Sequence, residues 1–289
     1  MKACKTLLLV LGLVLTFMMA ASAADAPTLK FKFTTVRVPG ALSTALGGIN
    51  NAGVMVGQYE AGKGMMRGFM RDGNKLTRID DPNGSQTACK NINSSGVIVG
   101  SYEDSSGTTR GFLYQNGKFT DIPGPAGATS SAANGINDNG LVVGSYSDST
   151  GTQHGFLLTG KKYKTLDVPH AFGTSATGIN NKGYIVLTWN DAEQNAESSF
   201  YNGKTYKTID VPAASNTIAE DLNNADDVVF QWFDADLHPH GALLHGGKYY
   251  KFSHPKSMGT YGTGINDQHV VVGFYVPDAN YGGGFTATY

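Results

Sequence analysis

Hydrophobic residues along this chain occur in short runs of about six, each bounded by Gly, Asn, Asp or Ser. The run "VMVGQY", which begins at Val54, is followed by "RGFMR" and then by "KLTRID". No long apolar stripe with helical spacing is present, and the chain contains 38 glycines. The pattern therefore predicts an all-β protein made of short strands joined by tight turns.

The strand pattern repeats six times, with a period of 43 or 44 residues. Each repeat starts at Gly-Ile-Asn or a close variant: Gly48, Asn91, Gly135, Gly178, Asp221 and Gly264. An aromatic residue follows eleven positions after each start: Tyr59, Tyr102, Tyr146, Trp189, Trp232 and Tyr275. A period of this length with several strands per unit is typical of propeller blades. The sequence predicts a six-bladed β-propeller with about 43 residues and four strands per blade.

The two ends of the repeat region predict how the ring closes. The segment "FKFTTVRVPGA" at residues 31–41 matches the fourth strand of a repeat, and the chain stops at "GFTATY", which matches a third strand. We therefore expect the N-terminal strand to complete the last blade and remove its exposed edge. We also expect the glycines of strand two, such as Gly57 and Gly100, to leave room for a large side chain from the next sheet.

The first residues indicate export. Lys2 and Lys5 precede an apolar run, and Ala21-Ser22-Ala23 provides a small-residue cleavage site. The run is short for a membrane span, which needs about 20 residues. We predict a signal peptide at 1–23, a linker at 24–30 and the propeller at 31–289. The protein would then be secreted, periplasmic or extracellular, and would not span a membrane after cleavage.

Charge and motif content exclude several classes of function. The formal net charge is −1 and no basic block occurs, so we expect no nucleic-acid partner. After cleavage Cys89 is the only cysteine, which rules out an internal disulfide. The chain also lacks a Gly-x-Ser-x-Gly elbow, a phosphate loop and a paired-cysteine metal motif. Nothing in the motifs points to a defined reaction.

The third strand resembles a known repeat. "RGFM", "RGFLY", "HGFLL" and "HGALL" follow a "G-x-V-V-G-x-Y" pattern and precede "N-G-K-x-x-x-I-D-x-P". This arrangement of motifs, over residues 31–289, resembles that of the HAF-repeat family of bacterial extracellular proteins. The family's histidine maps onto Arg67, Arg110, His154, Ser198, His240 and Gly283. The resemblance implies export and a repeat fold, and it implies no defined reaction.

Blades four and five depart most from the other repeats, which makes them the first candidate site. Their aromatic positions hold the two tryptophans, Trp189 and Trp232. Blade five adds a polar loop with Phe233, Asp234, Asp236, His238 and His240. Aromatic rings beside polar groups suit a glycan, so we predict ligand binding at these residues. Packing between blades is the alternative role for the tryptophans. A metal ion held by the loop is a further, weaker hypothesis, because closed sites need converging ligands.

The innermost strands carry the second candidate site. Lys90 lies in blade two, whereas Glu220 and Asp221 lie in blade five, opposite in a six-membered ring. These residues would place charges at one end of the central channel. A solvated channel mouth is the simpler interpretation. Secreted propellers of the lactonase type bind a catalytic divalent ion in this place, so a hydrolase is the enzymatic alternative.

These observations together predict an exported, non-catalytic binding module whose ligand is a glycan or a surface protein. The alternatives are a metal-dependent hydrolase or lactonase that uses the channel, and a structural envelope protein. We expect no cofactor, and a divalent metal is the alternative.

Overall fold

The computed structural model describes residues 28–255, 257–277 and 282–289. The predicted signal peptide and most of the predicted linker lie outside this part of the chain, so cleavage and export stay predictions. The regular elements of the described residues are all β-strands. Within those residues no helix has the length and apolar character needed to cross a membrane.

The strands follow one another as the repeat predicts. β1 (Lys32–Val36) comes first in the chain. Blade one contains β2 (Thr44–Ile49), β3 (Met55–Gly62), β4 (Met65–Asp72) and β5 (Lys75–Ile79). Blade two contains β6 (Gly84–Ile92), β7 (Ile98–Asp104), β8 (Thr109–Gln115) and β9 (Lys118–Ile122). Blade three contains β10 (Ser130–Ile136), β11 (Val142–Ser147), β12 (Gln153–Thr159) and β13 (Lys162–Leu166). Blade four contains β14 (Thr174–Ile179), β15 (Ile185–Asn190), β16 (Ala196–Tyr201) and β17 (Tyr206–Thr208). Blade five contains β18 (Asn216–Leu222), β19 (Val228–Phe233), β20 (Pro239–His245) and β21 (Lys248–Phe252). Blade six contains β22 (Gly259–Ile265), β23 (Val271–Val276) and β24 (Gly283–Thr288).

Six four-stranded antiparallel sheets form the blades of a closed ring. Five sheets keep chain order, whereas the sixth has the order β1, β24, β23, β22. β1 pairs with β24 from Lys32 opposite Thr288 to Val36 opposite Gly284. β2 of the first blade packs against β22 and β23 of the last. The predicted six-bladed propeller and its closure by the N-terminal strand are both confirmed.

A large side chain on strand three fills the interior of most blades, opposite a glycine of strand two. Phe112 is fully buried and pairs with Gly100, where a Cβ would lie 2.9 Å from the phenyl ring. The same pair recurs as Gly57–Phe69, Gly144–Phe156 and Gly273–Phe285. Our expectation that the next sheet fills this space was wrong. Paired residues of adjacent strands project to the same face, so the neighbouring strand fills it.

In blades four and five the large side chain of this pair lies on strand two and the small one on strand three. Leu187 replaces the glycine and lies opposite Ser199, while Phe230 replaces it in blade five and lies opposite Ala242. Leu187, Phe230 and Ala242 are fully buried, and Ser199 is nearly so. The large side chain has moved from strand three to strand two, and the interior volume is kept. This departure of blades four and five from the repeat is a matter of core packing.

The asparagine of each repeat caps the turn between strands one and two. In blade one Asn50 Oδ1 accepts hydrogen bonds from the backbone N–H groups of Ala52 and Val54, both at 3.0 Å. Gly53 follows with φ of 80°, a conformation that glycine adopts without strain. The capping role that the sequence predicted for this asparagine is confirmed.

The same asparagines also join the blades to one another, which the sequence did not predict. Asn50 Nδ2 donates to the carbonyl oxygen of Asn93 at 3.1 Å, and the pattern continues around the ring until Asn266 donates to Asn50. The intermediate bonds, between 2.9 and 3.3 Å, start from Asn93, Asn137, Asn180 and Asn223. A closed belt of six buried hydrogen bonds therefore ties all blades together at one end of the channel.

Candidate functional site

The propeller has two distinct ends. The turns joining strands one and two, with the asparagine belt, define the Asn face. The connections from strand two to strand three and from each blade to the next define the loop face. On the loop face, Thr44 Oγ1 accepts a hydrogen bond from the N–H of Val38 at 3.0 Å and holds the inter-blade loop. Equivalent bonds are made by Thr87, Thr174, Thr217 and Thr260.

A β-bulge in every innermost strand supplies the wall of the central channel. The pairing of strands one and two skips one residue in each blade: Gly47, Lys90, Asn134, Thr177, Glu220 and Thr263. A bulge leaves its extra residue outside the ladder and re-aims the side chain. All six bulge residues line one cavity inside the ring. Because the bulge residue lies outside the ladder, its side-chain type can differ from blade to blade.

The cavity has a volume of about 370 Å³ and combines charged, amide and aromatic side chains. Lys90 and Glu220 face it from opposite blades. Glu220 accepts a hydrogen bond from Gln231 Nε2. Phe274 forms part of the wall, and its ring stacks on Tyr261 with centroids 4.4 Å apart and planes 7° apart. Concave sites with a few polar groups on a partly apolar wall are the usual form of ligand pockets.

A polar bridge crosses the channel between this cavity and the Asn face. Asn91 and Asp221 occupy the position of the repeat glycine in opposite blades, and Asn91 Nδ2 donates to Asp221 Oδ2 at 3.3 Å. The same oxygen accepts from the N–H of Ile265 at 3.3 Å. A smaller cavity of about 60 Å³ lies on the Asn side. Asp221 is 5 % exposed, so it is a buried element of the channel floor and does not belong to a solvated mouth with Lys90 and Glu220.

Burial raises the pKa values of both acidic residues of β18. Burial raises the pKa of Glu220 to about 7, and the positive charge of Lys90 offsets only part of this effect. Burial also raises the pKa of Asp221 to about 7, against the hydrogen bonds that it accepts from the N–H groups of Leu222 and Ile265 and from Asn91. Carboxyl groups with a raised pKa in a concave site are candidates for function.

These shifts predict a pH-dependent stability. Because the folded-state pKa lies above the unfolded value, the folded protein holds protons that the unfolded chain has lost, and stability falls as pH rises from about 4 to about 7. Glu220→Gln should therefore leave the free energy of unfolding unchanged at pH 4 and raise it by about 1–3 kcal/mol at pH 8. Urea denaturation at both pH values measures this. Glu103→Gln, at an exposed position, is the control; equal curves for Glu220→Gln and the parent at pH 8 would refute the burial effect.

The structure gives the two tryptophans different environments. Trp232 is 8 % exposed and donates from Nε1 to the carbonyl oxygen of Gly241 at 3.0 Å. His240 stacks on its ring at 4.6 Å between centroids, and Lys251 Nζ lies 3.7 Å from the ring centroid. Trp189 is partly exposed and donates to Ser199 Oγ at 3.0 Å. Packing therefore accounts for Trp232, whereas a binding role for Trp189 and Phe233 stays a prediction.

The polar loop of blade five is organised by its own backbone. Asp234 Oδ1 accepts from the N–H groups of Asp236 and His238 at 3.0 and 2.9 Å. Asp234 Oδ2 lies 3.1 Å from His240 Nε2. Hydrogen bonds from the N–H of His238 and from His240 lower the pKa of Asp234 to about 2. Asp104 and Asp148 cap the equivalent loops in the same way, so Asp234 and His240 belong to the repeated scaffold.

The strand register corrects one assignment in the third-strand column. The residue opposite the aromatic of strand two is Arg67, Arg110, His154 or His240 in four blades, but Glu197 in blade four. The sequence pattern assigned Ser198 to this position, because the residues after it, Ser-Phe-Tyr, resemble the Gly-Phe-Leu of other blades. In the structure Phe200 lies opposite Val186 and faces the other side of the sheet from the phenylalanines of those blades. Burial, together with the carboxylate of Asp210, raises the pKa of Glu197 to about 7. In each of these blades the residue lies eight positions after the aromatic of strand two, and this constant spacing in the sequence would have identified Glu197.

Two groups of side chains among the described residues are compact enough to share a metal ion, and neither lines the channel cavity. One consists of Asp234, Asp236 and His238 in the exposed loop of blade five. The other consists of Asp227, His245 and His269 on the Asn face. The sequence hypothesis named the first group and missed the second, whose members are separated by 18 and 24 positions and converge only in the folded ring.

Comparisons with known proteins give the fold. No protein-family model and no curated protein matches the chain, so the HAF-repeat resemblance stays a prediction. The six-bladed fucose-binding lectin of Aleuria aurantia is 12 % identical, with a TM-score of 0.54 over 88 % of this chain and 93 % of that one. AofleA from Arthrobotrys oligospora is 12 % identical, with a TM-score of 0.55 over 91 % and 87 %. SapL1 lectin, solved with α-methyl fucoside, is 14 % identical, with a TM-score of 0.52 over 82 % and 89 %. The chain therefore has the six-bladed β-propeller fold of the Aleuria aurantia lectin.

Proposed function

We propose that the protein is an exported, non-catalytic propeller that binds a glycan in the channel cavity of the loop face. The observation that carries the proposal is the cavity of about 370 Å³, whose wall includes Lys90 and Glu220 from opposite blades and the aromatic ring of Phe274. Small-molecule sites usually have volumes of roughly 300–1,000 Å³. Export rests on the tripartite N-terminal sequence alone.

The side chains of the cavity match the chemistry of a sugar. A sugar ring carries hydroxyl groups, which donate and accept hydrogen bonds, and C–H patches, which are apolar. Lys90 donates, the carboxyl group of Glu220 accepts, and the amide of Gln58 does both. Phe274 supplies an apolar surface, and the stacked ring of Tyr261 holds it in place. The likeness to lectins solved with fucosides supports a glycan as the ligand class and makes α-methyl-L-fucoside the first probe.

Binding to α-methyl-L-fucoside and to a panel of oligosaccharides tests the proposal. Titration calorimetry on the parent should identify a binding sugar. Lys90→Met should weaken its binding at least about tenfold, because a hydrogen bond to a charged group contributes roughly 1.5–3 kcal/mol, and Gln58→Ala should weaken it about two- to tenfold, because a neutral hydrogen bond contributes roughly 0.5–1.5 kcal/mol. Phe274→Leu should weaken binding while keeping the wall filled. Melting curves establish that each variant is folded.

Substitutions in the other candidate site provide the contrast. Trp189→Phe, Asp236→Asn and His238→Ala change blade five and its neighbour without touching the cavity, and they should bind the sugar as the parent does. If these variants lose binding and the cavity variants keep it, the loop of blade five is the glycan site. Binding that no cavity variant weakens would overturn the proposal.

Hydrolysis in the channel is the second candidate, and the pKa of Glu220 favours it. A carboxyl group with a pKa of about 7 can donate or accept a proton at neutral pH. Turnover of p-nitrophenyl glycosides and of lactones, with and without added Zn²⁺ or Ca²⁺, separates the two functions. An enzyme would lose turnover in Glu220→Gln, whereas a binding protein would show no turnover above the uncatalysed rate.

A further inference from the structure

A cluster of four side chains lies on the Asn face, at the junction of blades five and six. Asp227 is 3 % exposed and lies between two imidazoles. Its Oδ1 is 2.9 Å from His245 Nδ1, and its Oδ2 is 3.1 Å from His269 Nδ1. The hydroxyl of Tyr289 lies 3.2 Å from the same nitrogen of His269. The cluster is separate from the channel cavity of the loop face.

The cluster is built from residues that break the repeat. Asp227 stands four positions after the belt asparagine, where the other blades have apolar residues: Val54, Val97, Leu141, Tyr184 and Val270. His269 stands where four blades have the turn glycine, and it keeps the left-handed conformation with φ of 58°. His245 ends strand three of blade five. Two adjacent blades thus depart from the pattern at the point where they meet.

Both departures carry a cost to folding. A buried carboxylate in place of a valine loses hydration, and only its imidazole partners and Asn223 Nδ2, at 3.1 Å, compensate it. A histidine in the left-handed region is less favourable than the glycine of the sibling turns. Residues that oppose local rules without an evident gain in packing mark candidate functional sites.

We infer that Asp227, His245 and His269 form a binding site for a divalent transition metal, with Zn²⁺ as the best fit. Their donor atoms all lie within 4.8 Å of one another. Tetrahedral Zn²⁺ with bonds of about 2.0–2.2 Å places its ligand atoms roughly 3.3 Å apart. The observed separations of 2.9 and 3.1 Å, one to each oxygen of Asp227, are a few tenths of an ångström shorter than this value, and the two imidazole nitrogens lie within 4.8 Å of each other.

The donor set selects the kind of metal. Two imidazoles and one carboxylate suit Zn²⁺, Cu²⁺ or Ni²⁺, whereas Mg²⁺ and Ca²⁺ prefer sites made of oxygen atoms alone. Three protein ligands would leave a fourth position open on Zn²⁺, and the hydroxyl of Tyr289 lies 3.2 Å from the proposed ligand atom of His269. The ligands come from both blades, so the ion would crosslink blade five to blade six.

Zn²⁺ titration of the untagged protein, stripped with a chelator beforehand, tests the inference. Calorimetry should give one Zn²⁺ per chain, and Zn²⁺ should raise the melting temperature where Mg²⁺ and Ca²⁺ do not. Asp227→Val and His269→Gly each restore the residue of a sibling blade, so both should fold. Each should lose more affinity than the roughly 10–100-fold that loss of an outer partner costs.

The loop of blade five provides the matched control. Asp236→Asn combined with His238→Ala removes two members of the exposed group and should leave Zn²⁺ binding unchanged. The absence of Zn²⁺ binding in the parent would overturn the inference, as would parent-like binding by Asp227→Val and His269→Gly. Loss in the control variant alone would place the ion in the loop and overturn it equally. Sugar binding is read separately, because none of these residues lines the channel cavity.

Discussion

Deletion of residues 31–38 is expected to abolish the cooperative unfolding of the ring. The deletion removes β1, which pairs with β24 along five residues, and with it the aromatic packing of Phe33 on Phe285, whose ring centroids lie 5.3 Å apart. Each buried backbone group left without a partner costs about 1–3 kcal/mol. Several such losses reach the total stability of a typical domain, about 5–15 kcal/mol. Urea denaturation followed by circular dichroism should show a shallow transition at much lower urea.

Hydrogen exchange identifies the strands that lose protection when β1 is removed. The amides of β24 and β23 should exchange fastest in the truncated protein, because blade six has lost its outer strand. Thr34→Ala in the full-length chain changes an exposed side chain of the same strand, and it should unfold with the parent. A synthetic peptide of residues 28–39 should restore part of the transition when added to the truncated protein. An unchanged melting curve after truncation would show that β1 does not hold the ring closed.

Exchange of the paired interior residues in blade five should show strong energetic coupling. Phe230→Gly is expected to cost about 3–5 kcal/mol, because it empties space filled by a fully buried ring. Ala242→Phe alone should cost about 1–3 kcal/mol through overpacking against Phe230. The double variant recreates the glycine–phenylalanine pair of the sibling blades, and it should recover much of the loss. Chemical denaturation of the four proteins completes the cycle.

The control pairs Phe230→Gly with Ala176→Gly, a buried position in blade four that does not face Phe230 across a strand pair. Those two losses should add within about 0.3–0.5 kcal/mol, because Ala176 and Phe230 belong to different core clusters. If Phe230→Gly and Ala242→Phe also add without coupling, the two side chains do not share one space, and the proposed exchange of positions is incorrect.

The order of the strands, the number of blades and the way the ring closes could all be predicted from the chain. They depend on local periodicity and turn residues. Because these recur in six repeats, a single blade that departs from the pattern does not obscure it. The turn at Asn50 and Gly53 is an example, because a capping side chain and a positive φ are properties of four consecutive residues. The third-strand assignment at Ser198 failed where one blade broke the pattern, since a register depends on the partner strand.

The candidate sites depended far more on tertiary structure. The sequence identified Lys90 and Glu220 as unusual. The bulges that direct both side chains toward one cavity depend on strand pairing, which the sequence did not reveal. Trp232 looked available for binding, yet His240 and Lys251 cover its ring.

What the sequence determined by itself is thus the repeated unit, its strands and its closure, because these follow from interactions between near neighbours in the chain. The tertiary structure alone decided which side chains meet. The asparagine belt, the Asn91–Asp221 bridge and the Asp227 cluster each join different blades. Residues separated by 42 to 216 positions carry no local signal of their contact, and only closure of the ring brings them within hydrogen-bonding distance.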